Sequence, residues 1–102
     1  MNAQLKVASA RHPRYVHVNF QNYLRHHGLP AAIRKRYAAW LCRFIVFHHG
    51  RAPEQLSAHH VEHFLEFIAV FEQADEPSLQ DARCCLRMFY QRFLPDLARD
   101  ST

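Results

Sequence analysis

Apolar residues recur along most of the chain at the three- and four-residue spacing that is typical of amphipathic helices. The first such run predicts a helix that ends at Gly28, because glycine suits the left-handed turn that terminates a helix. Pro30 can then open a second helix at its first position, where a missing N–H costs nothing, and Gly50 would end that helix. The predicted core positions are Val16, Phe20, Tyr23, Leu24 and His27 in the first helix and Ile33, Tyr37, Trp40, Leu41, Phe44 and His48 in the second.

Two more helices are predicted in the second half of the chain. Ser57 is a suitable N-cap for the third helix. Ser78, with Asp81 three residues further on, resembles a capping box at the start of the fourth helix, which we expect to stop at Pro95. The predicted core positions are Val61, Phe64, Leu65, Ile68 and Phe71 in the third helix and Leu79, Ala82, Leu86, Phe89, Tyr90 and Phe93 in the fourth.

The pattern as a whole predicts an all-α protein, a compact bundle of four to five helices, since no strand-like alternation is long enough to compete. A chain of 102 residues fits a single domain, and a hydrophobic content of 49% argues against disorder. We expect a flexible basic arm over residues 1–13, a helical core over residues 14–95 and a tail or linker over residues 96–102. The apolar residues beside the main faces, at the edge of the core or on a contact surface for another subunit or domain, are Phe47, Phe67 and Met88.

Charge adds to this picture because it is divided between the two halves of the chain. No Asp or Glu precedes Glu54, whereas nine of the thirteen Lys and Arg residues do, and all nine acidic residues follow Pro53. The formal net charge of +4 therefore joins a front part near +9 to a back part near −5. A block without acids favours a polyanionic partner, with DNA or RNA first and an anionic membrane surface second. The alternative is a basic front half that is merely solvated.

Two polar rows lie opposite the predicted apolar faces. On the second helix Lys35, Arg36 and Arg43 fall within about 100° of one another, with Ala39 between them, so this helix could approach a phosphate backbone closely. On the fourth helix two glutamines and two arginines follow i, i+3, i+7 and i+11 spacing, and such side chains can read adenine and guanine. Two ordinary solvated faces are the alternative. The predicted DNA-binding residues are Arg34, Lys35, Arg36, Arg43, Arg51, Gln80, Arg83, Arg87 and Gln91.

Several other kinds of site are not supported by the sequence. His59 and His63 stand four residues apart and could supply two zinc ligands, but neither an HExxH order nor a cysteine pair at metal spacing accompanies them. Arrangements typical of hydrolytic triads or phosphate-binding loops are also missing, so we expect no metal and no cofactor. Three cysteines, an odd number, favour reduced thiols and a cytoplasmic protein. No apolar run reaches the roughly 18 residues that span a bilayer.

Aromatic and polar residues between Tyr37 and Leu94 follow one another in a specific order and spacing. They are Tyr37, Trp40, Arg43-Phe44-Ile45, Phe47-His48, Arg51, Pro53, Val61-Glu62, Phe64-Leu65, Ala69-Val70, Ser78, Gln80, Ala82, Leu86 and Phe89-Tyr90. In this order they resemble the N-terminal, core-binding domain of tyrosine recombinases of the phage-integrase type, and most closely that of integron integrases.

The resemblance implies a SAM-like bundle that forms half of a clamp around a recombination site, with the second and fourth helices facing the DNA. It also implies that the nucleophilic tyrosine and the catalytic Arg, Lys and His residues belong to a larger C-terminal domain, so Tyr90 should not be taken for the nucleophile. We therefore expect a chain that is not itself an enzyme. Its expected partners are recombination-site DNA, as duplex or folded single strand, and other recombinase subunits. A helical protein–protein interaction domain that does not bind DNA is the alternative.

Overall fold

A computed structural model describes residues 16–100 of the chain, except for the side chain of Asp100. Within these residues the chain forms helices joined by short loops and no strand, which confirms the all-α prediction. None of these helices is both long and apolar enough to cross a membrane. The basic arm predicted over residues 1–13 lies outside the described residues. The helices are α1 (Val16–His26), α2 (Ala31–Phe47), α3 (Ala58–Val70), α4 (Glu76–Met88) and α5 (Leu94–Asp100), with a 3₁₀ turn at Pro53–Gln55 before α3 and a π-helical turn at Phe89–Phe93 between α4 and α5.

At the two ends of α2, the turns predicted from Gly28 and Gly50 agree with the structure more closely than the helix start predicted from Pro30. Gly28 ends α1 with φ = +81°, and the N–H groups of Gly28 and Leu29 donate to carbonyl oxygens in the last turn of α1, as predicted. Pro30 is not the first residue of α2 but its N-cap, because its ψ of 154° is extended. At the end of α2 the left-handed turn begins one residue before Gly50, at His49 with φ = +62°.

Polar residues start α3 and α4, but only one of the two predicted caps is correct. Ser57 precedes α3 as predicted, and its backbone N–H donates to Nδ1 of His60 at 3.0 Å. The N-cap of α4 is Asp75, whose carboxylate accepts from the backbone N–H of Ser78 at 3.0 Å. The predicted capping box of Ser78 and Asp81 is wrong, because an ionised Asp75 is a strong acceptor that starts the helix three residues earlier.

The predicted stop at Pro95 is also wrong. The π-helical turn Phe89–Phe93 joins α4 directly to α5 and shifts the backbone hydrogen-bond register ahead of the proline. Pro95 thereby becomes the second residue of α5, and proline is tolerated in the first turn of a helix. Residues 96–100, part of the tail or linker predicted over residues 96–102, are therefore helical, and Leu97 packs against the core.

The core contains most of the predicted positions, with several differences. Ile45, Leu56 and Cys85 are buried although they were not predicted, and Ile33, predicted as a core residue, is only partly buried. Phe71, predicted as buried, is 76% exposed, since α3 ends before it and its ring stacks on Phe67 with 5.4 Å between centroids. The His27 side chain is exposed. The predicted core residues that are buried are Val16, Phe20, Leu24, Leu41, Phe44, His48, Phe64, Leu65, Ile68, Ala82, Leu86, Phe89 and Phe93, and those that are partly buried against them are Tyr23, Tyr37, Trp40, Val61, Leu79 and Tyr90. The residues predicted beside the main apolar faces, Phe47, Phe67 and Met88, also pack at the edge of the core.

Candidate nucleic-acid interface

Helix α4 is the centre of the surface that carries most of the predicted DNA-binding residues. Side chains two residues apart on a helix point in directions that differ by about 200°, so Asp81 and Arg83 lie on opposite flanks of α4. Asp81 reaches Arg36 on α2, and Arg83 reaches Glu62 on α3. The exposed face of α4 is thus bordered by two grooves, an α2–α4 groove of about 500 Å³ and an α3–α4 groove of about 230 Å³.

In the α2–α4 groove one carboxylate organises the neighbouring side chains. Asp81 accepts from Nε and Nη2 of Arg36 at 3.0 and 3.1 Å and from Nε1 of Trp40 at 2.9 Å. The hydrogen bond from Arg36 is the main reason why the pKa of Asp81 lies below its ordinary value. The hydrogen bond from Trp40 also lowers this pKa, whereas partial burial raises it. The same contact raises the pKa of Arg36. Asp81 is therefore held ionised as an acceptor that joins α2 to α4.

Arg43 completes the polar row on α2. Its guanidinium carbon lies 5.1 Å from the centre of the Trp40 ring, in a cation–π contact, and its Nη2 pairs with Glu72. Ala39 is exposed between Arg36 and Arg43, as the predicted row requires. Arg36 and Arg43, from the front half without acids, thus pair with Asp81 and Glu72 from the back half, so these ion pairs offset part of the charge asymmetry.

The α3–α4 groove has a partly apolar lining and a charged rim. Nη1 of Arg83 donates to Oε2 of Glu62 at 2.7 Å. Arg87 and Gln91 are exposed, and their side chains make no ion pair or hydrogen bond with another residue in the described part of the chain. Two of the predicted base-reading residues, Arg87 and Gln91, are therefore accessible to a ligand in the α3–α4 groove. The apolar lining consists of Ala58, Val61, Leu86 and the ring of Tyr90.

The remaining predicted residues lie elsewhere or have local partners. Lys35 is exposed on α2 and makes no ion pair between residues 16 and 100. Nε2 of Gln80 donates to Oε1 of Glu76 at 3.0 Å at the start of α4. Arg34 donates to a carbonyl oxygen of the loop before α2, and Arg51 is exposed in the connector before α3; neither lines a groove. DNA contact by the nine residues stays a prediction.

Sequence reasoning missed the acidic residues that organise both grooves. Trp40 was placed only on the core face, although the indole N–H of a partly buried tryptophan usually has an acceptor. That signal points to an acceptor near Trp40, and Asp81 on α4 supplies it. Glu62 and Glu72 had no such signal, because spacing within a helix does not show which residues of another helix it meets.

Two groups with nucleophilic chemistry are engaged in the fold near α4. The hydroxyl of Tyr90 donates to the carbonyl oxygen of Pro53 at 2.9 Å, and burial raises the pKa of this phenol. The Sγ of Cys85 donates to the carbonyl oxygen of Tyr37 at 3.2 Å, and burial raises the pKa of this thiol. Both groups therefore stay protonated near neutral pH. Between residues 16 and 100 no group of three His, Cys, Asp or Glu side chains could hold a metal ion.

Histidines hold the start of α3 against the end of α2. His48 is only 7% exposed, and its Nε2 lies 3.0 Å from the carbonyl oxygen of His60. Because a carbonyl oxygen can only accept, Nε2 carries the hydrogen and donates. Burial is the main cause that lowers the pKa of His48; the hydrogen bond to His60 opposes it, and the charges of His60, His63 and Arg51 add to it. His48 is therefore a neutral donor that joins the two helices.

The match with a known family agrees with this architecture. None of the curated proteins is similar enough to the chain to count as a relative. Residues 18–100 match the model of the family described as phage integrase, N-terminal SAM-like domain, and this range includes α2 to α5 and both grooves. Because the match covers most of the chain, the chain belongs to the family of phage integrase N-terminal SAM-like domains, which gives it a role related to site-specific recombination.

Proposed function

We propose that this chain binds DNA as the non-catalytic, core-binding domain of a site-specific tyrosine recombinase of the integron-integrase kind. The observation that carries the proposal is the surface centred on α4. Arg83, Arg87 and Gln91 line the groove on one side of it, and Arg36 and Arg43 line the groove on the other. Membership of the phage integrase family supports the proposal.

The two grooves offer two kinds of contact. Arg87, at the end of α4, and Gln91, in the π-helical turn that continues it, are exposed one turn apart, an arrangement by which a helix in the major groove contacts successive bases. The cations of α2 suit phosphates, which set register and not sequence. The side chains of Arg36 and Arg43 remain 54% and 43% exposed despite their acidic partners, so a phosphate can still reach them. We infer that α4 reads bases while α2 contacts the backbone.

We propose that the chain binds DNA without cutting it. A tyrosine that attacks a phosphodiester must expose its hydroxyl and lose its proton. Tyr90, the tyrosine on α4's continuation, does neither, because its hydroxyl donates to the carbonyl oxygen of Pro53 and burial raises its pKa. A strand-cleavage assay with supercoiled plasmid should therefore show no nicked product above the background of the Tyr90→Phe variant.

The integron-integrase kind is supported by the order of residues from Tyr37 to Tyr90 described above. Two of these residues, Trp40 and His48, make contacts between helices. They support the shape of the domain, whereas the DNA target depends on the exposed side chains of α4.

The direct test of DNA binding is a titration of labelled duplex and hairpin DNA over a series of salt concentrations. About six phosphate contacts would lower the affinity roughly a thousandfold between about 50 and 200 mM salt. Lys35→Ala should reduce the slope of log Kd against log salt by about one unit. Arg25→Ala, which removes the same charge from the exposed side of α1, should leave that slope unchanged. A wild-type chain that retains no DNA even at low salt would refute the proposal.

A helical protein–protein interaction domain is the second candidate, and one observation favours it. Val46, Val70 and Phe71 are 74%, 63% and 76% exposed, and half-buried Phe47 and Phe67 lie between them. Exposed apolar groups that adjoin one another mark contact surfaces for proteins. A domain with this function alone would show no salt-sensitive retention of DNA, so the same titration separates the two candidates.

A further inference from the structure

The ion pair between α3 and α4 involves one of the predicted base-reading residues. Nη1 of Arg83 donates to Oε2 of Glu62 at 2.7 Å. The two side chains are 37% and 60% exposed, so the pair lies on the rim of the α3–α4 groove, beside Arg87. A carboxylate at this position repels DNA, yet it holds an arginine that faces the same groove.

Glu62 restricts the direction of the Arg83 guanidinium. A guanidinium carries five N–H groups in a planar fork, and the observed contact with the carboxylate uses one. The others remain for O6 and N7 of a guanine, the commonest specific contact of arginine in the major groove. An arginine that is already held in the free protein loses less rotamer freedom when it binds. Pre-orientation of this kind favours the one base that fits.

The charge of Glu62 acts on non-specific binding. The Glu62–Arg83 pair is neutral as a unit, so it adds little to the attraction that every DNA sequence exerts on a cation. A lone Arg83 would strengthen binding to all sequences alike. The carboxylate therefore lowers non-specific affinity and, through orientation, keeps specific affinity.

We infer that Glu62 is a positioning residue that sets the sequence discrimination of this chain by orienting Arg83 toward a guanine of duplex DNA. The inference rests on the DNA binding proposed above. It assigns to an acidic residue on α3 a part in recognition that spacing along α4 alone does not indicate.

Two substitutions and one matched control separate orientation from charge. Glu62→Ala removes both the charge and the acceptor, whereas Glu62→Gln removes the charge and keeps an oxygen that can accept from Arg83. Glu66→Ala removes the same charge one turn further along α3, where Glu66 is exposed and makes no ion pair within the described residues. Because an exposed rim pair contributes little to stability, all three variants should fold, which thermal melting verifies.

The probe is a pool of labelled duplexes in which about one helical turn, ~10 base pairs, is randomised. The duplex that the wild-type chain enriches most is titrated beside a scrambled duplex of the same composition, with wild type and each variant. The readouts are the ratio of the two dissociation constants and the dependence of each constant on salt.

We expect Glu62→Ala to lower the ratio about tenfold, to strengthen binding to the scrambled duplex and to steepen the salt slope by about one unit. Glu62→Gln should strengthen binding likewise but keep most of the ratio, and Glu66→Ala should leave the ratio unchanged. An unchanged ratio in Glu62→Ala, or a wild-type chain that binds all duplexes equally, would overturn the inference and leave DNA binding intact. A wild-type chain that binds no duplex at low salt would defeat the proposed function, and this inference with it.

Discussion

The two flanks of α4 hold arginine in different ways. On the α2 flank Asp81 accepts two N–H groups from Arg36 and a third from Trp40. On the α3 flank a single hydrogen bond joins Arg83 to Glu62. The exposure of the two carboxylate side chains separates the flanks most clearly, since it is 21% for Asp81 and 60% for Glu62.

This difference shows that an arginine on a predicted recognition surface can serve the fold or a ligand. A partly buried carboxylate with three donors fixes how α2 lies against α4, and losing it leaves its partners unsatisfied. An exposed pair with one hydrogen bond contributes little to stability and leaves donors for another molecule. The α2 flank therefore orients the surface, while the α3 flank supplies most of its free hydrogen-bonding groups.

The largest effect is expected for Asp81→Ala. This substitution leaves the N–H of Trp40 without its acceptor, so the free energy of unfolding should fall by about 2 kcal/mol, and Tm by about 10 °C. Urea unfolding followed by tryptophan fluorescence measures the change directly, because Trp40 is the only tryptophan of the chain. Glu62→Ala is the matched control and should cost less than about 0.5 kcal/mol. Similar losses in the two variants would contradict the division between the flanks.

The next effect tests whether the flanks contact different parts of DNA. Arg87→Ala should cost about 1–2 kcal/mol at one base position of the preferred duplex. Arg36→Ala should instead weaken binding to all sequences about equally, because it removes a proposed contact with the DNA backbone and leaves the charge of Asp81 uncompensated. Competition titrations with single base-pair variants of that duplex measure both. A change of base preference in Arg36→Ala, with uniform weakening in Arg87→Ala, would reverse the two roles.

Acid should loosen the contact between the end of α2 and the start of α3. His48 donates to the carbonyl oxygen of His60 in the first turn of α3, and burial lowers the pKa of His48. As the pH falls, His48 is therefore protonated in the unfolded chain at a higher pH than in the folded chain. The contribution of His48 to stability is complete above the ordinary histidine pKa of about 6.5 and is lost as the pH falls through the lowered value.

We expect Tm to fall between about pH 7 and pH 5, and to fall less steeply in His48→Gln than in the wild type. His59→Gln is the control, since His59 is exposed on α3. Scanning calorimetry over this range compares the three chains. Superimposable pH profiles for the wild type and His48→Gln would show that His48 does not control the acid sensitivity of the α2–α3 contact.

The smallest effect is expected for Phe71→Ser, beyond the far end of α3. Phe71 is 76% exposed, so the free energy of unfolding should change by less than about 0.5 kcal/mol. Phe67→Ser should cost more, because Phe67 is half-buried with its ring 4.8 Å from that of Phe47. Urea unfolding of the pair measures the difference. Equal losses would mean that Phe71 packs in the core, as its spacing predicted.

Helical periodicity was sufficient to predict the main helices and most of their buried residues, because burial repeats with the helical turn. Turn chemistry was sufficient at Gly28 and Ser57, where one residue decides the outcome locally. It failed at Ser78 and Pro95, where two local signals compete. Asp75 caps α4 earlier than Ser78 would, and a π-helical turn admits Pro95 into a helix.

By itself the sequence determined the all-α class, most core positions and the row of polar side chains along α4, since all three follow from spacing along single helices. Only the tertiary structure decided that Asp81 meets Arg36 and that Glu62 meets Arg83. Which side chains meet between helices depends on the crossing angle and rotation of each pair, and spacing within one helix does not contain that information. The packing of the helices also brings the basic residues of the front half, Arg36 and Arg43, to the acidic residues of the back half, Asp81 and Glu72.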